Sequence, residues 1–142
     1  AAVLTRPSRL AAPLPAEADV ICRCMMNLDR SKLLKEVKEA FPEIRAKINA
    51  QQGLLHFEVG VFYMHTQKLI NNGEREKVTK SFKIADKFYR NGDKKVQNAI
   101  AVSYVEGLEF TNTKKTCRDW AWHTFPASLK NEYIEFHGKE GI

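Results

Sequence analysis

From Asp29 onward, apolar residues recur every three or four positions, the spacing of helices that bury one face. The first run of this kind is Leu33, Leu34, Val37, Ala40, Phe41, Ile44 and Ile48. Asp29 or Ser31 can cap its start by accepting a hydrogen bond from an unpaired backbone N–H. Pro42 interrupts the run, which predicts that the helix ends or kinks near Phe41 or that a second short helix begins there.

Residues 54–70 are apolar on nearly all sides, which is typical of a helix in the centre of a domain. The β-branched and aromatic residues of FEVGVFYM (57–64) would also suit a strand. The length of the whole apolar stretch favours the helix. Asn71, Asn72 and Gly73 then predict its end, because Asn and Gly tolerate the left-handed conformation.

Further helices are expected over the rest of the chain. Asn91 and Gly92 should end one that begins near Glu74, and Asp93 should cap another that runs to about Phe110. A short helix near Trp120 and a last one from Pro126 to Gly138 complete the set. Because the connectors are short, neighbouring helices should be antiparallel. We predict an all-α fold, either a compact bundle or a HEAT/TPR-like stack of five to six antiparallel helices.

Residues 1–24 differ from the rest because prolines and alanines dominate and no helical period is present. Proline lacks an N–H and fixes its own φ, so we expect an irregular N-terminal arm followed by one helical domain over residues 25–142. Such an arm could dock on its own domain or on a neighbouring subunit.

The composition excludes several classes of protein. Apolar residues make up 44% and charged residues 28% of the 142 residues, which excludes wholesale disorder. No apolar run reaches the ~18 residues of a membrane span, so we expect no membrane association. Three cysteines, with no secretory leader, favour a reducing cytoplasm over a disulfide framework. The net charge of +6 permits an anionic partner without requiring one.

Three segments stand out for their similarity to known sequences: LLHFEVGVF (54–62), ADKFYRNGDKKVQNAIAVSYVEGLEF (85–110) and PASLKNEYIEFHGK (126–139). The region that they span, about three-fifths of the chain, resembles an uncharacterised family of small bacterial all-helical proteins. The resemblance implies an all-α fold and brings no known activity, cofactor or catalytic residue. The leader also resembles translated upstream sequence in the products of mobile gene cassettes.

Two glutamates are the candidates for acid–base chemistry. Glu58 is the single acid in an apolar helix, and Glu106 holds a similar place in the helix predicted after Asp93. If both face inward, each carboxylate needs a partner, because an unpaired buried charge is costly. The available partners are His56, His65, Asn98, Tyr63 and Tyr104. The set could line a polar pocket for a small molecule or a reaction, but a network that fixes helix packing is favoured.

We expect no metal site and no cofactor. His56 and Glu58 are two residues apart, whereas ligands on one helix face are three or four apart. Cys22, Cys24, Cys117 and His123 lack the spacing of a zinc site. The lysines near Cys117 would lower the pKa of its thiol, which is weak evidence for a nucleophile.

A stripe of cations and a pair of tryptophans are candidates for binding. Lys80, Lys83, Lys87 and Arg90 lie on one side of one helix and could contact phosphates, although the solvated face of an amphipathic helix is favoured. Trp120 and Trp122 cannot both face one core from a helix, so either one of them is exposed and could anchor a partner, or both wedge between helices from a loop.

The residues favour binding over catalysis. We predict a protein–protein interaction module whose partner is another protein or a second copy in a homodimer. A pocket around Glu58 and Glu106, and nucleic-acid binding through the basic stripe, are the alternatives.

Overall fold

The computed structural model of the protein describes residues 28–142, and every regular element in this range is helical. The all-α prediction is therefore confirmed. Seven helices pack into a compact arrangement, against the five or six expected. They are α1 (Arg30–Ala40), α2 (Arg45–Asn49), α3 (Leu55–Asn71), α4 (Arg75–Asn91), α5 (Lys94–Ile100), α6 (Asp119–Thr124) and α7 (Ala127–His137). The predicted arm lies outside the described residues.

The ends of several helices follow local chemistry. Asp29 caps α1 by accepting a hydrogen bond from the Lys32 N–H at 3.1 Å, and Asp93 caps α5 through the Val96 N–H at 2.9 Å. Gly138 ends α7 in the left-handed conformation that a glycine adopts without strain. These caps and this helix end are where the sequence predicts them.

Pro42 ends α1 and begins a new turn, so both of the effects predicted for it occur. Helix α1 stops at Ala40, and Pro42 occupies the first position of the 3₁₀ turn Pro42–Ile44. Proline suits that position because its missing N–H would have no intrahelical partner there. The turn leads directly into α2, and Phe41, Ile44 and Ile48 all point into the core.

Helix α3 forms one wall of the domain rather than its centre. It packs against α2 and the 3₁₀ turn on one side, against residues 101–105 on the other, and against α4 beneath. Val59, Phe62, Leu69 and Ile70 fill the core from its inner face. Its outer face is exposed, because the elements that flank α3 cover only its two sides. The expectation of a fully buried helix is wrong for this face.

The helix predicted to run from Asp93 to about Phe110 ends earlier. Helix α5 stops at Ile100, and the next turn, Ala101–Val105, is a π-helical turn. Its wider winding places the Glu106 N–H against the Ala101 carbonyl, five residues back, at 3.2 Å. The backbone then passes close to α3 at Gly107, where an added Cβ would lie 2.9 Å from the Tyr63 ring.

A buried chain of hydroxyl groups connects α3, α4 and the π-helical turn. Thr66 Oγ1 donates to the Phe62 carbonyl at 2.9 Å and lies 2.6 Å from Ser81 Oγ. Ser81 Oγ in turn lies 2.7 Å from the Tyr104 hydroxyl. Since the Thr66 proton goes to the carbonyl, Tyr104 donates to Ser81 and Ser81 donates to Thr66. Burial raises the pKa of Tyr104, which keeps its proton in place.

Replacing Tyr104 with phenylalanine should destabilise the protein by about 1–2 kcal/mol, because Ser81 would lose its incoming hydrogen bond in a buried site. Chemical denaturation measures the free energy of unfolding. Tyr63→Phe is the matched control, because the Tyr63 hydroxyl has no hydrogen-bond partner among the described residues. Equal losses in both variants would contradict a role for the network.

Candidate interaction surface

The outer face of α3 exposes a row of apolar side chains. Leu54, Phe57 and Met64 are 56%, 60% and 67% exposed, and Val61 is half-buried between them. Leu54 is the residue just before α3, and Phe57, Val61 and Met64 lie on successive turns of the same side of the helix. We call these four residues the α3 ridge. Single exposed apolar residues are ordinary, whereas a row of them along one helix is a feature that interaction surfaces often have.

Within residues 28–142, no element covers Leu54, Phe57 or Met64 of the α3 ridge. Gly60 lies beside Phe57 and Met64 on this face, and an added Cβ there would meet no atom within 4 Å. Sequence reasoning missed the ridge because it assigned every apolar residue of α3 to the core. The sequence did contain the pattern of the ridge. Apolar residues at positions 54, 57, 61 and 64 share one side of α3, and the buried residues at positions 59, 62, 66, 69 and 70 lie on another.

A groove runs along one flank of the ridge, between α3 and the preceding 3₁₀ turn and α2. Its volume is about 310 Å³. The groove combines an apolar wall with charged groups at its edge, and it is lined by Glu43, Ile44, Lys47, Val61, Met64, His65 and Lys68. Lys47 and Lys68 are both exposed, so their ammonium groups stand in solvent beside apolar carbon.

His65 lies at the inner edge of this groove. Its Nε2 atom is 3.0 Å from a carboxylate oxygen of Glu43. Burial lowers the pKa of His65, and this effect outweighs the opposing one of the Glu43 carboxylate. His65 is therefore neutral near pH 7. The positive charge at this flank of the ridge comes from the lysines.

The opposite flank of the ridge is held by residues 101–109. His56 Nδ1 lies 2.8 Å from Ser103 Oγ, and Gln67 exchanges two hydrogen bonds with the backbone of Glu109, at 2.8 and 3.2 Å. These contacts join both ends of α3 to the π-helical turn and to the irregular segment that follows it. The helix that carries the ridge is therefore fixed to neighbouring elements near both of its ends.

The two glutamates predicted to share a pocket have separate surroundings. Glu58 is 2% exposed, and both of its oxygens accept from Arg30, Oε1 from Nε at 2.8 Å and Oε2 from Nη2 at 2.6 Å. This ion pair raises the pKa of Arg30. Glu106 lies near Glu132 and His137, and burial raises the pKa of its carboxyl, with Glu132 adding to the effect. The structure does not bring the two carboxylates together.

The other residues of the predicted polar pocket are also dispersed. His56 contacts Ser103, His65 contacts Glu43, and Tyr104 belongs to the buried hydroxyl chain. Asn98 is exposed on α5, beside a shallow groove that Tyr89 also lines. His56, His65 and Tyr104 thus have separate local partners, Asn98 is exposed, and the predicted residues do not line one pocket.

The basic stripe lies along α4, and half of it is paired with acids. Lys87 Nζ is 2.6 Å from Glu36, and Arg90 Nε is 3.1 Å from Asp86. Lys80 and Lys83 are exposed, and the Lys80 ammonium lies 6.0 Å from the Phe41 ring centre. Lys80 and Lys87 border an open groove of about 680 Å³ between α1 and α4, which Glu36 and Glu39 also line. The face is therefore of mixed charge.

Both tryptophans of α6 are buried, at 9% exposure for Trp120 and 4% for Trp122. Trp122 packs on Phe110 at 5.2 Å between ring centres, while Trp120 lies under the Arg75 guanidinium at 5.1 Å and donates to the Cys117 carbonyl. The helix has protein on both of its sides. Neither ring is exposed, so the alternative in which one of them anchors a partner is wrong; both are buried, although from a helix rather than from a loop.

No three metal-ligating side chains come together within residues 28–142. Cys22 and Cys24 lie outside this range. Cys117 is exposed, and its hydrogen bond to Asp119 raises the pKa of the thiol, which contradicts the lowering expected from the nearby lysines. None of the seven helices is long and apolar enough to cross a membrane.

Comparison with known proteins yields one match. The model of a family described as a domain of unknown function (DUF7674) matches residues 34–138. This finding confirms the resemblance to an uncharacterised helical family, while a bacterial or gene-cassette origin stays a prediction. No curated protein and no solved structure matches the chain.

Arg30→Met should destabilise the protein by about 1–3 kcal/mol, because it leaves the Glu58 carboxylate buried without its partner. The expected loss is below that of a fully buried pair because Arg30 is 44% exposed. Adding Glu58→Leu to this variant should restore most of the stability. Chemical denaturation tests both steps, and a double variant no more stable than the single one would contradict this account.

His65 should make the protein less stable as the pH falls. Its folded-state pKa lies below the ordinary value of 6.5, so the unfolded chain takes up the proton more readily below that pH. Between pH 7.5 and 5.5, the wild type should lose more stability than His65→Gln, which cannot take up this proton. Denaturation at several pH values measures the difference, and parallel curves would refute the prediction.

Proposed function

We propose that this chain, which belongs to the DUF7674 family of domains of unknown function, is a protein–protein interaction module that docks its partner on the α3 ridge. The observation that carries the proposal is the exposure of Leu54, just before α3, and of Phe57 and Met64, two turns apart on one side of α3. A partner that covers this row removes apolar surface from water, which yields about 25 cal/mol for each Å² buried.

Helix α3, which carries the ridge, is held in place by contacts within this protein and needs no partner to fix its position. The inner face of α3 is packed in the core, and Thr66, Gln67 and His56 join it to neighbouring elements. Binding to a rigid helix face costs little conformational entropy, because the apolar side chains already stand in one row. This arrangement favours recognition of a partner helix, whose apolar side chains repeat at three- and four-residue intervals and can enter the groove beside the ridge.

The alternatives have less support. For a catalytic pocket, Glu58 would have to give up two charge-assisted hydrogen bonds with Arg30. For nucleic-acid binding, the basic stripe offers only Lys80 and Lys83 without an acidic partner among the residues described. Docking on the ridge requires no rearrangement of the elements between residues 28 and 142.

Changing the ridge to acid should abolish partner binding without unfolding the protein. In the double variant Phe57→Glu/Met64→Glu, two exposed anchors become charged, so the contact with an apolar partner surface is lost. The test is capture of partners from native cell extract by the tagged wild type and the variant, followed by mass spectrometry. A species retained by the wild type and absent with the variant is the expected result.

Phe136→Glu is the matched control, because Phe136 is 56% exposed on α7 and is not part of the ridge. This variant should capture the same species as the wild type. The free energy of unfolding should change by less than about 1 kcal/mol in both variants, as is usual for surface positions. Identical capture by all three proteins would overturn the proposal.

A further inference from the structure

We infer that the partner segment docked on the α3 ridge is an acidic amphipathic helix, whose carboxylates contact Lys47 and Lys68. The inference rests on the proposed function and adds the chemistry of the partner. It starts from the juxtaposition of apolar anchors and ammonium groups along one edge of α3.

Two lysines beside the ridge carry positive charge that no described acid neutralises. Lys47 and Lys68 line the groove, and neither ammonium forms an ion pair with any residue between 28 and 142. The single acid of the groove, Glu43, is already in contact with His65. A third lysine, Lys77, lies close enough to affect the pKa of His65. A carboxylate arriving at this edge therefore meets unpaired cations.

The size of the groove favours side chains over a small molecule. A volume of about 310 Å³ is at the lower end of the range for ligand pockets, and the groove is continuous with the exposed ridge. Ile44, Val61 and Met64 form an apolar wall that suits a leucine or phenylalanine side chain. From residue 54 to residue 64, the ridge rises about 15 Å, which corresponds to roughly three turns of a partner helix.

The same charges disfavour a second copy of this chain as the occupant. Each copy carries a net charge of +6. If two ridges met in an antiparallel, two-fold arrangement, the flank with Lys47 and Lys68 would face its own equivalent. Like charges at close range oppose that contact, whereas an acidic helix gains from both the apolar row and the lysines.

Methyl NMR on the full chain can test this inference directly. The protein has three methionines, Met25, Met26 and Met64, so labelling of the methionine methyl groups with ¹³C gives a simple spectrum. Met64→Leu identifies the ridge signal. The probe is a synthetic helical peptide of about 20 residues, with leucines at three- and four-residue spacing and glutamates on both flanks. A second peptide has lysine in place of each glutamate.

The acidic peptide should shift the Met64 signal saturably, and the lysine peptide should not. Lys47→Glu/Lys68→Glu should weaken binding of the acidic peptide about tenfold or more, since two charge contacts become repulsive. Lys83→Glu/Lys114→Glu is the matched control, because it alters the net charge equally at exposed sites that do not line this groove. It should weaken binding less than about threefold.

Several results would overturn the inference. Equal binding of both peptides would mean that the ridge recognises apolar surface without regard to charge, and the proposed function would stand. Equal weakening by both lysine pairs would reveal non-specific attraction. A Met64 signal that changes with protein concentration alone would point to a second copy. If neither peptide binds, the acidic helix is excluded, and the capture experiment with Phe57→Glu/Met64→Glu decides separately whether the ridge is a docking site.

Discussion

Helix α3 is apolar around most of its circumference, and the domain has enough neighbouring elements to cover only part of it. The inner side chains, such as Phe62 and Ile70, are fully buried, whereas Phe57 and Met64 remain in water. Burying both faces would need another layer of helices opposite α4. Within residues 28–142 that layer does not exist. Within the described residues, the architecture therefore leaves the outer face of α3 uncovered, and this is the face that we propose as a docking surface.

Which face of α3 points outward is determined by polar groups as much as by hydrophobic ones. Burial of apolar area is non-directional, so an all-apolar helix could rotate about its axis at little cost. Thr66 and Glu58 prevent this, because the first must meet Ser81 and the second must meet Arg30. The π-helical turn is part of the same constraint, because it brings Tyr104 to Ser81. Hydrogen bonds in the core thus define the surface that a partner meets.

Sequence patterns predicted most helices and their caps, because those features depend on neighbours along the chain. Asp29, Pro42 and Asp93 act where short-range rules place them. The π-helical turn was not predicted, and its residue Tyr104 contacts Ser81, which is 23 positions away in the sequence and so beyond the reach of short-range rules. The partner of Glu58 was missed for the same reason, because Arg30 is 28 positions away.

The site shows the same division between local and long-range information. Its residues were visible in the sequence as apolar positions, but periodicity cannot say which side of an all-apolar helix is covered. Trp120 and Trp122 are the opposite case. Their alternate positions point to different sides of α6, but both rings are buried because other parts of the protein pack on both sides of this helix. Whether a side chain is exposed depends on the packing of all elements in the fold, so exposed apolar residues are difficult to predict from the sequence.

Lysines beside an apolar ridge serve two purposes at once. Exposed apolar rows promote self-association, and like charges at their edge oppose it. Lys47 and Lys68 stand where a second copy would have to approach, so they raise the cost of dimerisation through the ridge. The same ammonium groups would attract the acidic helix that we propose as the partner and would speed its association. One pair of side chains would then both oppose dimerisation through the ridge and favour a partner of opposite charge.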